Sequence, residues 1–533
     1  MSAAKTGKTV HVMIALILDE TLQKYEQDLR EILMAFFPGE PFCYDKRPEA
    51  GLFVCADKDG IRVEVCGAET AKRTPLLLTN VRRENKTRIK HALYTLLSEL
   101  TGEQLPWGTL TGIRPVKLAD MLLTELENGR AEGSIDPETA GRDKKRAETD
   151  RLAAAKLRET YLISPEKTAL MLDIAHRERA VLSRLDYRRG FSLYIGIPFC
   201  PTTCLYCSFT SYPIARWSGR VDEYLACLRR ELRQLRSFQT GAQTSFLFGR
   251  PLQTIYIGGG TPTALSAEQL RNLLEIVREE LDLSEVAEFT VEAGRPDSIT
   301  AEKLHVLRAF GIDRISINPQ TMNQKTLDLI GRRHTVEDVK RAFSEARKAG
   351  FDNINMDLIM GLPEETADDV RHTLSEIEAM RPDSLTVHAL AVKRAARLNT
   401  EGNAWAHLVR AGKEEASLMT ELGAESAARM GLFPYYLYRQ KNMAGNQENV
   451  GYAAPGKENL YNILMMEERH TVIGCGAGAS SKAVFAEETN RQEIPAVSAG
   501  GYRVERHENM KNIAEYLPRF EEVLEKKAAF LAQ

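Results

Sequence analysis

Between residues 192 and 389 the chain repeats one pattern six times, and that pattern limits the fold more than any other feature. Short apolar runs of strand length recur as SLYIGIP (192–198), QTIYIGG (253–259), EFTVEA (288–293), DRISINP (313–319), NINMDLI (353–359) and DSLTVHA (383–389). Longer segments with apolar residues at helical spacing lie between them, among them 220–235, 267–281, 336–349 and 367–380. Strands alternating with helices predict parallel β/α units. Six units are too few for a closed eightfold barrel, so the expected core is a partial (β/α)6 barrel within an α/β fold. Chemically capable residues fall near the C-terminal ends of all six runs: Cys200, Gly258–Gly260, Glu292, Gln320, Asp357 and His388. In β/α barrels that edge carries the chemistry, so a catalytic mouth is expected there.

The flanks read differently. Residues 1–105 mix strand-like stretches (9–18 and 60–66) with helical ones (20–37 and 82–100), which predicts a small α+β domain. Residues 106–187 are expected to form a helical linker region, with a charged insertion at 126–158. The barrel is assigned to 188–398, and 399–533 reads as a mixed C-terminal extension with a helix at 404–430. The apolar run 12–18 is too short to span a bilayer and is followed by Asp19 and Glu20, so it reads as a buried strand. A net charge of −3 over 533 residues gives no ground for a nucleic-acid or membrane partner, and the cytoplasm is the default location.

Three of the eight cysteines sit together in IPFCPTTCLYCSF, as Cys200, Cys204 and Cys207. Cys43, Cys55, Cys66, Cys227 and Cys475 are scattered and read as buried thiols. Thiolates suit zinc, copper(I) and iron–sulfur clusters. Structural zinc needs a fourth ligand, and the next histidine in the chain is the distant His305. A cubane held by three thiolates keeps one iron free of protein ligands, and that corner can take an amino and a carboxylate group. The glycine run GGGTPT (258–263) suits a close backbone approach to a ligand, although a tight βα turn would use the same residues.

With Tyr206 before its third cysteine, the loop resembles the cluster loop of radical S-adenosylmethionine (SAM) enzymes. The resemblance implies a [4Fe-4S] cluster on Cys200, Cys204 and Cys207, with SAM bound at its open iron. It also implies that Gly259, Gly260 and Thr261 hold the methionyl amino group. Tyr194, Glu292, Gln320, Arg332 and Asp357 match, in order and context, the SAM contacts of oxygen-independent coproporphyrinogen oxidases, and Tyr206 and Ala391 are added to that set. Chemically, Arg332 suits the methionyl carboxylate, Gln320 and Asp357 suit ribose hydroxyls, and Glu292 suits an ammonium or hydroxyl.

WGTLTGIRPVKL (107–118), VEAGRPDSIT, RISINPQT, NINMDLIMGLP, YYLYRQKNMAGNQENVGY and YNILMMEE narrow the resemblance, over about 107–485, to the HemZ branch of that oxidase family. It implies oxidative decarboxylation of coproporphyrinogen propionates to vinyls, with an electron donor such as flavodoxin or ferredoxin and a separate electron acceptor. A substrate with four carboxylates calls for basic contacts, with Arg439, Lys441, Lys393, Arg394 and Arg114 as candidates, and surface ion pairing as the alternative. Tyr435, Tyr436 and Tyr438 suit either a tetrapyrrole pocket or core packing. Phe209 stands where established oxidases often carry a further cysteine. The related heme chaperones also have an aromatic residue there, and His334 echoes that branch. A heme-binding chaperone, or a radical SAM enzyme acting on another tetrapyrrole, is therefore the alternative reading.

Overall fold

The computed structural model describes residues 13–44, 46–67, 70–112, 114–131, 142–391, 413–440, 447–486, 497–498 and 502–533. They fall into two compact units. One comprises the described residues within Met1–Asp173 and Arg439–Asn442, the other those within Ile174–Tyr438 and Met443–Gln533.

The first unit holds a five-stranded sheet in the order β2-β1-β3-β4-β5, where β1 is Met13–Leu18, β2 Phe42–Cys43, β3 Gly51–Asp57, β4 Gly60–Cys66 and β5 Thr70–Pro75. β1 runs parallel to β2 and β3, while β3, β4 and β5 pair antiparallel. Alternating residues of the sheet, including Ile14, Leu16, Val54 and Val63, pack against Leu29, Ile32 and Leu33 of helix α1 (Glu26–Phe36) and Ile89, Leu93 and Leu97 of α2 (Arg82–Thr101). Each such side chain contributes about 1.5–3 kcal/mol of burial. The expected α+β character holds, and β2, β3 and β5 add strands that periodicity did not show. Helices α3 (Pro115–Ala131) and α4 (Arg142–Tyr161) bracket the centre of the charged stretch, of which 132–141 lie outside the described residues. Helix α5 (Pro165–Leu182) contains the boundary between the units.

In the second unit all six expected strands form. They are β6 (Phe191–Ile197), β9 (Leu252–Gly259), β10 (Glu288–Gly294), β11 (Arg314–Ile317), β12 (Ile354–Met360) and β13 (Ser384–Ala389), each parallel to the next. Between β6 and β9 lie a small parallel pair, β7 (Phe199–Cys200) with β8 (Tyr212–Pro213), and helix α6 (Val221–Thr240). Helices α7 (Ala267–Glu280), α8 (Ala301–Ala309), α9 (Gln324–Leu329), α10 (Val336–Lys348) and α11 (Ala367–Met380) fill the remaining crossovers. Ser266, Thr335 and Thr366 close reciprocal capping boxes at the starts of α7, α10 and α11. Such caps are worth about 1 kcal/mol each and fix where a loop hands over to its helix.

The sheet extends beyond the six units at both edges. β15 (Asn449–Ala453) and β14 (Phe433–Tyr438) add antiparallel strands beside β13. On the other edge β16 (Thr471–Cys475) runs parallel to β6, followed by β17 (Ser480–Ala486), β19 (Tyr502–Glu508) and β18 (Val497–Ser498) in antiparallel pairing. The C-terminal extension therefore continues the barrel sheet, and its helix is seen over Lys413–Arg429, with 404–412 outside the described residues.

Strand periodicity sorts the side chains. Leu193, Ile195, Ile255, Ile257, Val291, Ile315, Met356, Leu358 and Leu385 are buried on one face. The other face is polar and cross-linked. Thr254 Oγ1 donates to Ser192 Oγ at 2.7 Å, Tyr256 Oη to Glu292 Oε1 at 2.5 Å, and Thr386 Oγ1 to Asn355 Oδ1 at 3.2 Å.

Candidate active site

The polar face is the floor on which the candidate site is built. Tyr194 on β6 lies opposite Tyr256 on β9, their rings stacked with centroids 6.2 Å apart. The Tyr461 ring stacks on Tyr256 at 4.7 Å. Tyr461 opens the helix Leu460–Met466, whose N-terminal amides at Leu460 and Tyr461 donate to the buried Glu288 carboxylate at 2.7 and 3.2 Å. This anchors a C-terminal aromatic residue inside the barrel sheet.

At the end of β9 the glycines are required by contact. An added Cβ on Gly258 would lie 3.1 Å from the Glu292 carboxyl carbon, and one on Gly260 only 2.6 Å from the Phe199 carbonyl oxygen and 3.0 Å from Cys200 Sγ. Gly259 has φ +109°, with Ile197 backbone atoms 3.0 Å from where its Cβ would be. Gly260 N donates to Ile197 O and Thr261 N to Phe199 O, both at 2.7 Å. Thr261 Oγ1 lies 3.4 Å from Cys200 Sγ. The glycine run and the cysteine loop thus touch as a single surface.

Cys200 and Cys204 are buried, Cys207 half-buried, and none of the eight cysteines forms a disulfide. Burial pushes the Cys200 thiol up to about 12. Leu205 N donates to Ile330 O at 3.0 Å and Thr202 Oγ1 to Gly331 O at 3.3 Å, tying the loop to the turn that carries Arg332. Tyr206 packs on Ile330, Ile359, Leu362 and Leu390.

The remaining expected residues gather on neighbouring strands. Glu292 is half-buried on β10; burial raises its carboxyl to about 7, with the Tyr256 hydroxyl pulling down and Asp357 pushing up. Asp357, on β12, accepts from Asn355 Nδ2 at 2.7 Å and faces His388 Nε2 at 3.8 Å. Burial alone would raise its carboxyl, but His388 and Asn355 outweigh that and hold it below the ordinary range. Gln320 adopts φ +70°, a left-handed conformation that costs a non-glycine residue roughly 1–3 kcal/mol. Its peptide pays that cost by bridging to β12, through Gln320 N to Asp357 O at 2.9 Å and Ile359 N to Gln320 O at 3.0 Å. Arg332 is buried and donates through Nη1 to Asn318 O at 2.7 Å and Pro319 O at 3.2 Å. Gln320 Oε1 and Arg332 Nε are buried without a hydrogen-bond partner, which is the condition of groups awaiting a ligand. Ala391 is half-buried just beyond β13.

Beside Tyr194 and Gly259 lies a cavity of about 200 Å³, lined also by Phe209, Ala477, Gly478 and Lys511. Phe209 is 70 % exposed. The turn between β16 and β17 therefore reaches the site through Ala477 and Gly478. Lys511, Tyr256 and Tyr461 were not expected here. Tyr256 and Tyr461 occur within motifs already noted and Lys511 in none, and their partners in the site lie far apart in sequence.

The proposed basic contacts fare differently. Lys393, Arg394 and Lys441 lie outside the described residues. Arg114 is half-buried in the first unit. Arg439 belongs to that unit too, where its Nη1 donates to Leu110 O at 2.5 Å and its guanidinium lies over the Trp107 ring at 5.1 Å. Tyr435 and Tyr436 pack with Val181, Leu182, Ile463 and Leu464, and so take the core role; Tyr438 Oη is 3.4 Å from His388 Nδ1. His334 is fully buried with neither ring nitrogen bonded, and burial beside Arg332 lowers its pKa to about 3. The ring is neutral there and, at 0 % exposure, presents no nitrogen at the surface.

Among the described residues no three His, Cys, Asp or Glu side chains converge as the ligands of one ion do. The site does fit a cluster with an aminoacyl cofactor: three unbridged thiols, a glycine surface against Cys200 that a Cβ would fill, and buried amide and guanidinium atoms left unpaired. Among the described residues no helix is long and apolar enough to cross a membrane.

Comparison with known proteins agrees. The radical SAM superfamily model matches residues 194–377. The oxygen-independent coproporphyrinogen-III oxidase-like protein HemZ of Bacillus subtilis is 41 % identical over 453 residues, 85 % of this chain and 82 % of that protein. The heme chaperone HemW of the same organism is 35 % identical over 54 % of this chain and 70 % of its own. The solved coproporphyrinogen III oxidase HemN of Escherichia coli aligns over 65 % of this chain and 73 % of its own, with TM-score 0.47 and 21 % identity. On its own residues, the superfamily match and the 41 % identity to HemZ, the chain belongs to the radical SAM superfamily, in the oxygen-independent coproporphyrinogen III oxidase-like family of HemZ, with a [4Fe-4S] cluster and S-adenosylmethionine as cofactors.

Proposed function

We propose that the chain catalyses the oxygen-independent oxidative decarboxylation of coproporphyrinogen III to protoporphyrinogen IX. The observation that carries this reading is the meeting of the cysteine loop, the glycine run and the Tyr194–Tyr256–Glu292–Asp357 face at one edge of the barrel, in a chain 41 % identical to a coproporphyrinogen-III oxidase-like protein. When bound, the cluster and SAM supply reductive cleavage to methionine and a 5′-deoxyadenosyl radical. In the proposed reaction a β-hydrogen leaves each of two propionates; carbon dioxide and one electron then depart, and a vinyl group remains. A low-potential carrier such as flavodoxin or ferredoxin provides the reducing electron, and a separate acceptor takes the one released.

The chain's own residues bind and orient. Gly259, Gly260 and Thr261 offer backbone to the methionyl amino group, Arg332 its guanidinium to the carboxylate, and Gln320 and Asp357 hydrogen bonds to ribose. Tyr194, stacked on Tyr256, shields the reacting centre from water. The adjoining cavity, at about 200 Å³, has room for one carboxylate arm of the substrate rather than a whole macrocycle, and Lys511, whose ammonium lies 3.5 Å from Glu508, is among its lining residues.

A second reading, a heme-binding chaperone, is favoured by Phe209, which replaces a potential further thiol with an exposed ring. Anaerobic incubation with coproporphyrinogen III, SAM and a reductant separates the two. The proposed enzyme yields protoporphyrinogen and 5′-deoxyadenosine in a ratio of about one to two, as two propionates require. Stable heme uptake without product would overturn the oxidase reading.

A further inference from the structure

The strongest feature that the proposed chemistry leaves unused is a buried cation at the cysteine loop. Arg295 follows β10 by one residue and is 3 % exposed. Its guanidinium divides its donors between two partners. The Nε/Nη2 edge grips the Asp297 carboxylate bidentately, at 2.9 and 2.6 Å. Nη1 points the other way, donating to Thr202 Oγ1 at 2.9 Å, to Thr202 O at 3.3 Å and to Cys204 Sγ at 3.6 Å. The backbone is held as firmly, since Arg295 N donates to Ala293 O at 2.6 Å and Arg295 O accepts from Ser298 Oγ at 2.7 Å. The positive charge is therefore fixed, desolvated and aimed at one cluster ligand, with its counter-charge on the far edge.

We infer that Arg295 sets the reduction potential of the cluster held by Cys204, acting as a positioning residue whose hydrogen bond and charge favour the reduced state. One-electron reduction of a thiolate-ligated cluster adds negative charge to the cluster and its sulfurs. Hydrogen bonds to those sulfurs and nearby fixed charge are among the factors that set its potential. The burial of Arg295 matters here, because a cation in low dielectric interacts far more strongly than one in water. Arginine stays protonated, so the effect is constant across the working pH range. The inference rests on the family's cluster, not on the identity of the tetrapyrrole, and holds for an oxidase and a chaperone alike.

A clamp that merely orders the loop through Thr202 is the competing account, and three variants separate them. Each 533-residue protein is reconstituted anaerobically, its iron and sulfide are counted, and its cluster is titrated with a low-potential chemical reductant and mediators under electron paramagnetic resonance. Arg295→Gln, with its cluster present, is expected to shift the reduction equilibrium at least tenfold towards the oxidised state, which for one electron is about 59 mV more negative. Arg295→Lys, which keeps the charge, is expected to recover part of that shift. Thr202→Val removes the 2.9 Å side-chain bond to the loop, leaving the 3.3 Å bond to the residue-202 carbonyl and the cation beside Cys204, and is expected to keep the native potential. A native potential in Arg295→Gln overturns the inference. So does a fall in Thr202→Val as large as that in Arg295→Gln, or failure of both Arg295 variants to retain a cluster, since either makes the residue a clamp. An unmodified protein that takes up no iron or sulfide would instead remove the cluster premise itself.

Discussion

Replacing Lys527 with methionine tests how the C-terminal helix supports the site. Lys527, on the helix Phe520–Leu531, and Glu231, on α6, form an ion pair with both side chains fully buried. Lys527 also donates to the Gly474 carbonyl. Glu231 accepts from Gly476 N at 2.8 Å, Asn509 Nδ2 at 2.6 Å and Tyr516 Oη at 2.9 Å. In Lys527→Met the carboxylate keeps those three neutral donors but loses the one cation paired with it among the described residues, at a fully buried position. Removing one partner of a buried pair costs about 3–5 kcal/mol, against about 0–1 kcal/mol for a surface pair. For a unit spanning about 350 residues, whose unfolding entropy is about 2.1 cal/mol/K per residue, the 3–5 kcal/mol loss corresponds to a fall in Tm of roughly 4–7 °C. Because Gly476 N and the Gly474 carbonyl are both in the network, the β16–β17 turn that walls the cavity should loosen, and SAM affinity should fall with the Tm. Differential scanning calorimetry under anaerobic conditions and equilibrium SAM binding measure the two effects. Adding Glu231→Gln removes the stranded charge while keeping an acceptor, so the double variant should regain more than half the lost stability. A single variant that loses under about 1 kcal/mol, or a double variant no better than the single, would refute the reasoning.

Other predictions bear on the site itself. Gly260→Ala places a Cβ against the Phe199 carbonyl and Cys200 Sγ, so iron and sulfide loading should drop several-fold while far-ultraviolet circular dichroism stays native; full loading would contradict this. Tyr256→Phe removes a charge-assisted hydrogen bond worth about 1.5–3 kcal/mol to Glu292. That bond lowers a carboxyl pKa otherwise raised by burial, so its loss should move ionisation upward by roughly one pH unit or more from about 7. SAM binding near neutrality should weaken and recover at alkaline pH, and a pH profile equal to the native one would count against that coupling. Gln320→Gly relieves the left-handed strain but deletes the unpaired amide, so Tm should hold or rise while SAM affinity falls at least several-fold. A fall in both would mean the side chain serves the fold.

The barrel was legible because its information is local. Each strand expected from an apolar run appears within a residue or two, as 288–293 does in Glu288–Gly294, and polar residues such as Glu292 and Asp357 occupy the site edge. The cysteine and glycine motifs were legible for the same reason: close contact demands particular residues at fixed spacing, as the Gly260 contact with Cys200 makes plain. What escaped was set by distance along the chain. Tyr461 stacks on Tyr256 across more than 200 residues, and β16 joins β6 across more than 270, neither with a signature of its own. Arg295 escaped differently. It lies inside a quoted motif, yet an arginine before Pro-Asp reads equally as a surface ion pair until its burial and the 3.6 Å approach to Cys204 are seen.

These contributions form one arrangement. The barrel strands alone carry the glycine surface and the polar floor, but the aromatic stack and the cavity wall come from residues 461 and 474–478. The wall in turn depends on Glu231 and Lys527, and Tyr224 Oη bridges it to the strand bearing Tyr194 through Gly196 O at 2.6 Å and Ala477 N at 3.0 Å. A barrel truncated before β14 would therefore keep its cysteine loop but lose the stack over Tyr256 and one wall of the cavity. The residues assigned to the cluster and to SAM thus lie in the barrel, and the extension adds the Tyr461 ring and the Ala477–Gly478 wall beside them.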